Sequence, residues 1–444
     1  MEYEPVIGIE VHAQLTTESK LFCPCSTNYD AEPNHNCCPV CLGLPGVLPV
    51  LNGKAIDAVI KTALALNCEI PDHSRFARKN YYYPDLPKAY QISQYELPIG
   101  RNGYLDVVVG GETKRIRIHR IHLEEDAGKL IHDVTPGKSC VDYNRTGIPL
   151  MEIVTEPDIH SSEVASAYLM QLQSTLRYIG VSEANMEKGQ MRCEPNISIR
   201  PAGEQELGVK TELKNLNSFR VVRNGVDYEI ERQAEVLDEG GKVVQETRRW
   251  DDQSGVTITM RTKEYAHDYR YFPDPDLTPV EIESAWLDRL RSELPELPLE
   301  RMRRFVEKLG LPEYDAEVLT SSREMADYYE EVLAAHDDAK KVSNWIMTEM
   351  MGLLNEHGLT IGKCRVTPGN LAALLGFIRD GKISGPIAKD VFREMFAEGA
   401  APGEIIEKKN LVQVSDEGEL EGIIEKVIEE NPDPVGEVRK GKKK

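Results

Sequence analysis

Val6-Ile7-Gly8-Ile9-Glu10-Val11-His12-Ala13-Gln14-Leu15 alternates from Ile7 onward between apolar and polar or small residues. In an extended chain Ile7, Ile9, Val11, Ala13 and Leu15 share one face, and Gly8, Glu10, His12 and Gln14 share the other. That period predicts a strand with one buried face, and it makes Glu10 and His12 neighbours on the open one. Outward from this segment, residues 104–109 and 113–123 flank Gly110-Gly111 and read as an antiparallel hairpin. Residues 140–143, 148–154, 192–199 and 211–213 read as further strands. Regular strand-helix-strand alternation is missing. The pattern therefore predicts an α+β protein whose mainly antiparallel sheet carries helices such as 163–178 on one side.

The signal changes after Leu294-Pro295-Glu296-Leu297-Pro298, a plausible linker, where helical spacing takes over. Thr367 is a candidate N-cap with Pro368 at the first helical position, ahead of Leu371, Leu374, Leu375 and Ile378. Asp416 and Glu419 resemble a capping box before Leu420, Ile423, Ile424, Val427 and Ile428. Such plain amphipathic patterns suit an all-α architectural or docking module.

The 444 residues are enough for about three domains. With 41% hydrophobic and 29% charged residues the composition is that of a globular chain, not a disordered one. No apolar run reaches the ~18 residues of a membrane helix, and the opening Met1-Glu2-Tyr3-Glu4-Pro5 lacks a signal peptide's basic start. A cytoplasmic protein without a membrane partner is expected. The net charge of −21 repels phosphate, so any nucleic-acid contact must be local. The last six residues, Arg439-Lys440-Gly441-Lys442-Lys443-Lys444, reverse that sign.

Nine cysteines in a reducing compartment argue for metal before disulfides. Cys23-Pro24-Cys25 and Cys38-Pro39-Val40-Cys41 are two close thiol pairs joined by a loop, the pattern that wraps a tetrahedral Zn²⁺. Four thiolates leave no open coordination position, so this zinc would be structural; a set of free cysteines is the alternative. Cys37 and His35 are left as spare. A second, dispersed set comprises Glu10, His12, Glu124-Glu125-Asp126, Glu152, Glu194 and Glu212, all in or beside strand-like runs. Carboxylates and an imidazole gathered on one sheet face would hold Mg²⁺ or Mn²⁺; scattered, they are solvated surface acids. A third segment, Arg75-Phe76-Ala77-Arg78-Lys79-Asn80-Tyr81-Tyr82-Tyr83-Pro84-Asp85, couples cations for phosphate with rings for bases, unless its cations are spent on surplus acids. Gly137-Lys138-Ser139 is no Walker A loop, because His132 stands where its first glycine belongs. Neither a Gly-x-Gly-x-x-Gly run nor a Gly-x-Ser-x-Gly elbow is present.

Several of these segments resemble a known family. The stretches 6–12, 38–46, 78–85, 122–129, 214–219 and 268–273 are similar, in order, to the B subunits of the aspartyl/glutamyl-tRNA(Asn/Gln) amidotransferases. The related archaeal E-type subunits carry a large inserted domain for which this chain has no room. The resemblance implies a catalytic cradle domain similar to glutamine synthetase over 1–293, with the zinc loop at 23–41. A helical domain at 294–405 and a partial C-terminal tail domain at 406–444 would follow, the family's tail running on past Lys444. It implies a ligase working in a heterotrimer with an amidase A subunit and a small C subunit. With ATP, the side-chain carboxylate of Glu-tRNA(Gln) or Asp-tRNA(Asn) would be phosphorylated and then amidated with ammonia from the A subunit. On this reading Glu10, His12 and Glu125 are the catalytic metal ligands. Glu152, Glu194 and Glu212 serve a second Mg²⁺ or an outer shell, and Arg78 and Lys79 hold ATP phosphates or the tRNA end. Two other readings compete: a metal-dependent nuclease or phosphohydrolase, which would cleave RNA without ATP, and a non-catalytic tRNA adaptor, which would tolerate loss of Glu125.

Overall fold

The computed structural model describes residues 2–28, 31–135, 137–262, 269–411 and 425–432. The chain divides into two compact units, Met1–Leu297 and Pro298–Lys444. In the first, β1 (Tyr3–Gln14) and α1 (Gly53–Ala65) precede the short strands β2 (His73–Ser74), β3 (Ala77–Asn80) and β4 (Tyr90–Ser93). Two hairpins follow, β5 (Gly100–Val109) with β6 (Glu112–Glu125), and β7 (Lys129–Thr135) with β8 (Lys138–Asp142). Then come β9 (Pro149–Thr155), α2 (Ser162–Tyr178), β10 (Met191–Pro201), β11 (Thr211–Lys214), α3 (Phe219–Asp238), β12 (Glu246–Asp251) and β13 (Val256–Thr262). Short β14 (Phe272–Pro273), β15 (Val280–Glu281) and helix α4 (Ser284–Ser292) close the unit.

Eight strands form one sheet in the order β13-β12-β11-β10-β1-β9-β6-β5, antiparallel except for the β11/β12 pair. The long strand read from the sequence lies at its centre, between β10 and β9. Ile7, Ile9, Val11 and Ala13 are fully buried in a core shared with Ile56, Val59 and Ile60 of α1, Leu169 and Leu172 of α2, and Val222 and Val226 of α3. Helices thus cover one face, and the alternation of β1 leaves Glu10 and His12 on the other. The hairpin turns at Gly110 and Gly111, both with positive φ (61° and 80°), where a side chain would be strained. A separate three-stranded sheet, β14-β3-β4, carries Arg78 and Lys79.

Among its described residues the second unit is helical, with α5 (Pro298–Leu309), α6 (Glu313–Leu319), α7 (Arg323–Ala335), α8 (Ala339–Trp345), α9 (Met351–His357), α10 (Pro368–Arg379), α11 (Gly385–Glu398) and α12 (Pro402–Lys408). Phe305, Tyr329, Leu371, Leu375 and Phe392 sit in its own core. Thr367 caps α10, its hydroxyl accepting from the Asn370 amide, and Pro368 opens the helix. The expected border at 405/406 falls inside α12, whose Ile405 and Ile406 are both buried in this core. The capping box at Asp416 and Glu419 and the basic residues 439–444 lie outside the described residues. Among the described residues no helix is long and apolar enough to cross a membrane.

Candidate active site and cysteine cluster

The open face of the sheet floors a cavity of about 740 Å³. Pairing register decides what meets there. His12 of β1 stands opposite Glu152 of β9 on one side and Arg192 of β10 on the other, and Glu10 opposite Glu194. His122 of β6 stands opposite Glu152 from the far side. His12, Glu124 and Glu152 each offer an atom within 4.8 Å of the others, a set that could hold a cation. His12 Nε2 lies 3.2 Å from Glu152 and 3.8 Å from Glu124; His122 Nε2 lies 3.4 Å and 3.6 Å from the same two carboxylates.

Charge explains their protonation. Burial would lower the pKa of His12, but the hydrogen bond to Glu152 and the fields of Glu152, Glu124 and Glu194 raise it to about 9. Burial works against ionising Glu124 and Glu152 as well. The His122 contact and Lys79 outweigh it at Glu124, and the fields of His122 and His12 outweigh it at Glu152, so both stay below the usual carboxylate range. Glu10 is pushed up by burial and by Glu152. Glu194 and Glu212 share the Lys214 ammonium, at 2.6 Å and 3.3 Å. Asp126 is held by Arg192 at 3.0 Å and by Gln14 at 2.7 Å.

Two expected site residues point elsewhere. Glu125 does not join Glu10 and His12: it is buried behind the sheet, ion-paired with Lys88 and accepting the Ile92 amide, and Glu124 takes the place foreseen for it. The reason is a bulge in β6. Pairing shifts between Ile118 and Arg120, so the buried residues change from Ile116 and Ile118 to Ile121 and Leu123, which turns Arg120, His122 and Glu124 to the open face. Arg78 also faces away, bound to Asp274 at 2.9 Å and Asp276 at 2.8 Å with its guanidinium 4.2 Å from the Tyr90 ring. Lys79, the next residue, lines the cavity. Burial opposes its charge, but Glu124 and the nearby tyrosines raise its pKa. The sequence reading passes over His122, although its alternation with Ile121 and Leu123 is a usable signal.

Cys23, Cys25, Cys38 and Cys41 present sulfurs within 4.8 Å of one another. Cys38 and Cys41 sulfurs are 3.9 Å apart, close to the edge of about 3.8 Å implied by a tetrahedron with Zn–S of about 2.3 Å. The hydrogen bond from Cys23, against burial and with help from the Cys38 backbone and Lys20, lowers Cys41 to about 4. Cys37 turns instead toward Asn144 Oδ1, 4.0 Å away. The four donors fit a structural zinc and leave no position for a substrate.

A family model described as the GatB/GatE catalytic domain matches residues 5–288, and one described as the GatB domain matches 327–444. Relatives named as the B subunit of an aspartyl/glutamyl-tRNA(Asn/Gln) amidotransferase are similar throughout. That of Carboxydothermus hydrogenoformans is 55% identical over 447 residues, covering 100% of this chain and 93% of its own length. Those of Moorella thermoacetica (55% over 446 residues, 94% of the relative) and Thermodesulfovibrio yellowstonii (52% over 444 residues, 93%) match equally fully.

Proposed function

The chain belongs to the GatB family of amidotransferase subunits, and from that membership we propose that its cavity activates a tRNA-linked carboxylate for amidation. It acts as the B subunit of a heterotrimeric ligase, with an amidase A subunit supplying ammonia and a small C subunit completing the assembly. One observation carries this reading: His12, Glu124 and Glu152, from three different strands, converge on the floor of a solvent-open cavity. Isolated surface acids do not converge in this way.

The side-chain carboxylate of Glu-tRNA(Gln) or Asp-tRNA(Asn) attacks the γ-phosphorus of ATP, and ADP leaves. Ammonia then attacks the acyl phosphate carbon and inorganic phosphate leaves with the amide formed. Mg²⁺ or Mn²⁺ on His12, Glu124 and Glu152 would neutralise charge on the phosphoryl oxygens. Lys79, Arg120, Arg192 and Lys214 line the same cavity and attract the polyphosphate. Glu10, Glu194 and Glu212 serve a second cation or orient that lysine. An antiparallel sheet bearing carboxylates on its open face also agrees with a glutamine-synthetase-like cradle, and the four cysteines with a zinc that braces the loop.

The test is co-expression with the A and C partners, followed by ATP, glutamine and mischarged tRNA. Phosphate release should track amide formation, and Glu124→Gln or Glu152→Gln should abolish both. Full trimer activity in those variants would reduce this chain to an adaptor, and RNA cleavage without ATP would make it a nuclease.

A further inference from the structure

Beside the carboxylates, one side of the cavity is built from tyrosines. Tyr81 follows β3, Tyr95 follows β4, and Tyr269 and Tyr271 precede β14, yet all four line the same space. Tyr95 lies flat on Tyr271, with centroids 4.3 Å apart and planes 8° from parallel. Tyr269 stands edge-on to Tyr271 at 6.1 Å, and Tyr81 edge-on to Tyr269 at 6.0 Å. A purely structural cluster would be sealed off, but Tyr95 is 49% exposed. Lys79 joins this wall to the floor: its ammonium sits 5.0 Å from the Tyr269 ring centre, and it lines the same cavity as Glu124.

We propose that the Tyr81–Tyr95–Tyr269–Tyr271 wall is a binding site for an adenine ring, which stacks there while its phosphate meets Lys79 and its reacting end reaches the carboxylate floor. The order of surfaces, from rings to cation to carboxylates, matches the order of base, phosphate and metal-bound oxygens in an adenine nucleotide. Stacking on aromatic rings needs no base-edge hydrogen bonds, and the half-exposed Tyr95 leaves the wall open to solvent. This deepens the proposed amidotransferase reading, in which adenine enters from two sources, ATP and the 3′-terminal adenosine of the charged tRNA.

The experiment uses the assembled enzyme with Tyr95→Leu, Tyr271→Leu and Tyr271→Phe. ATP affinity is measured by calorimetry, and KM separately for ATP and for aminoacyl-tRNA. Loss of a stacking ring should weaken one substrate by about 5- to 150-fold, and Tyr271→Phe, which keeps the ring, should weaken it far less than Tyr271→Leu. A rise confined to ATP places the nucleotide there, and one confined to aminoacyl-tRNA places the acceptor end there. Unchanged constants for both substrates in Tyr95→Leu, whose half-exposed position spares the fold, overturn the proposal. Failure of the wild-type trimer to form amide would refute the amidotransferase reading instead, and ATP calorimetry would still report on the wall.

Discussion

Lys20→Met should weaken metal binding at the cysteine cluster. Lys20 is only 1% exposed, and a buried ammonium needs a counter-charge. Its Nζ donates to the Asn36 carbonyl at 2.7 Å and to the Tyr143 carbonyl at 3.2 Å, and lies 3.7 Å from Cys41 Sγ. Those three acceptors match its three N–H groups, and the thiolate is the anion among them. Unit charges at that separation attract by about 4 kcal/mol at an effective dielectric of about 20. Spreading the thiolate charge over a metal and four sulfurs dilutes this, so zinc should be held about 10- to 100-fold more weakly, or about 1.4 to 2.7 kcal/mol. Methionine fills the space but leaves the Asn36 carbonyl without a donor, at about 1–3 kcal/mol, while the Tyr143 carbonyl keeps the Thr146 amide at 3.0 Å. Competition with a chromogenic chelator reads the affinity, and thermal unfolding of the loaded protein reads the rest. A Met variant with wild-type zinc affinity and Tm would refute the assignment of Lys20 as counter-cation to the cluster.

Three further outcomes follow from neighbouring geometry. Glu124→Gln should lose Mn²⁺ binding, followed by water-proton relaxation, while Glu125→Gln keeps it but leaves Lys88 buried without its anion, at about 3–5 kcal/mol in chemical unfolding; the reverse pattern would restore Glu125 to the metal site. Thr367→Ala removes the hydroxyl that caps α10 and should cost about 1 kcal/mol, visible as a lower urea midpoint. Burial opposes ionisation of Asp315, but Lys340 at 2.6 Å and Ser343 at 2.9 Å hold its pKa below the usual 3.8. The stability it contributes is therefore complete above that value and lost as pH falls below it toward the folded-state pKa. Asp315→Asn should be less stable at pH 7 and should flatten the acid limb below about pH 4; parallel curves for the two proteins would contradict this.

Some of this chemistry was legible before any coordinates. The alternation of residues 7–15 placed Glu10 and His12 on one face of what proved to be the central strand, and Cys23, Cys25, Cys38 and Cys41 stood at metal-binding spacing. Thr367-Pro368 marked a helix start to the residue. Each of these signals is local, set by backbone period, tight turns or a single hydroxyl within reach of an amide.

The choice between Glu124 and Glu125 was only partly local. Strict alternation carried from Ile116 and Ile118 puts Glu125 on the open face; the shift between Ile118 and Arg120 against β9 reverses it. The segment holds two conflicting phases, one from Ile116 and Ile118 and one from Ile121 and Leu123, and the pairing with a strand some thirty-five residues away decides that the second one carries Glu124 and Glu125. The same holds for Arg78, which two aspartates near residue 275 claim, and for the four tyrosines that gather from three segments. Chain chemistry supplied the groups and their local facing. Cross-strand register, which exists only once distant strands have paired, selected those that share a pocket.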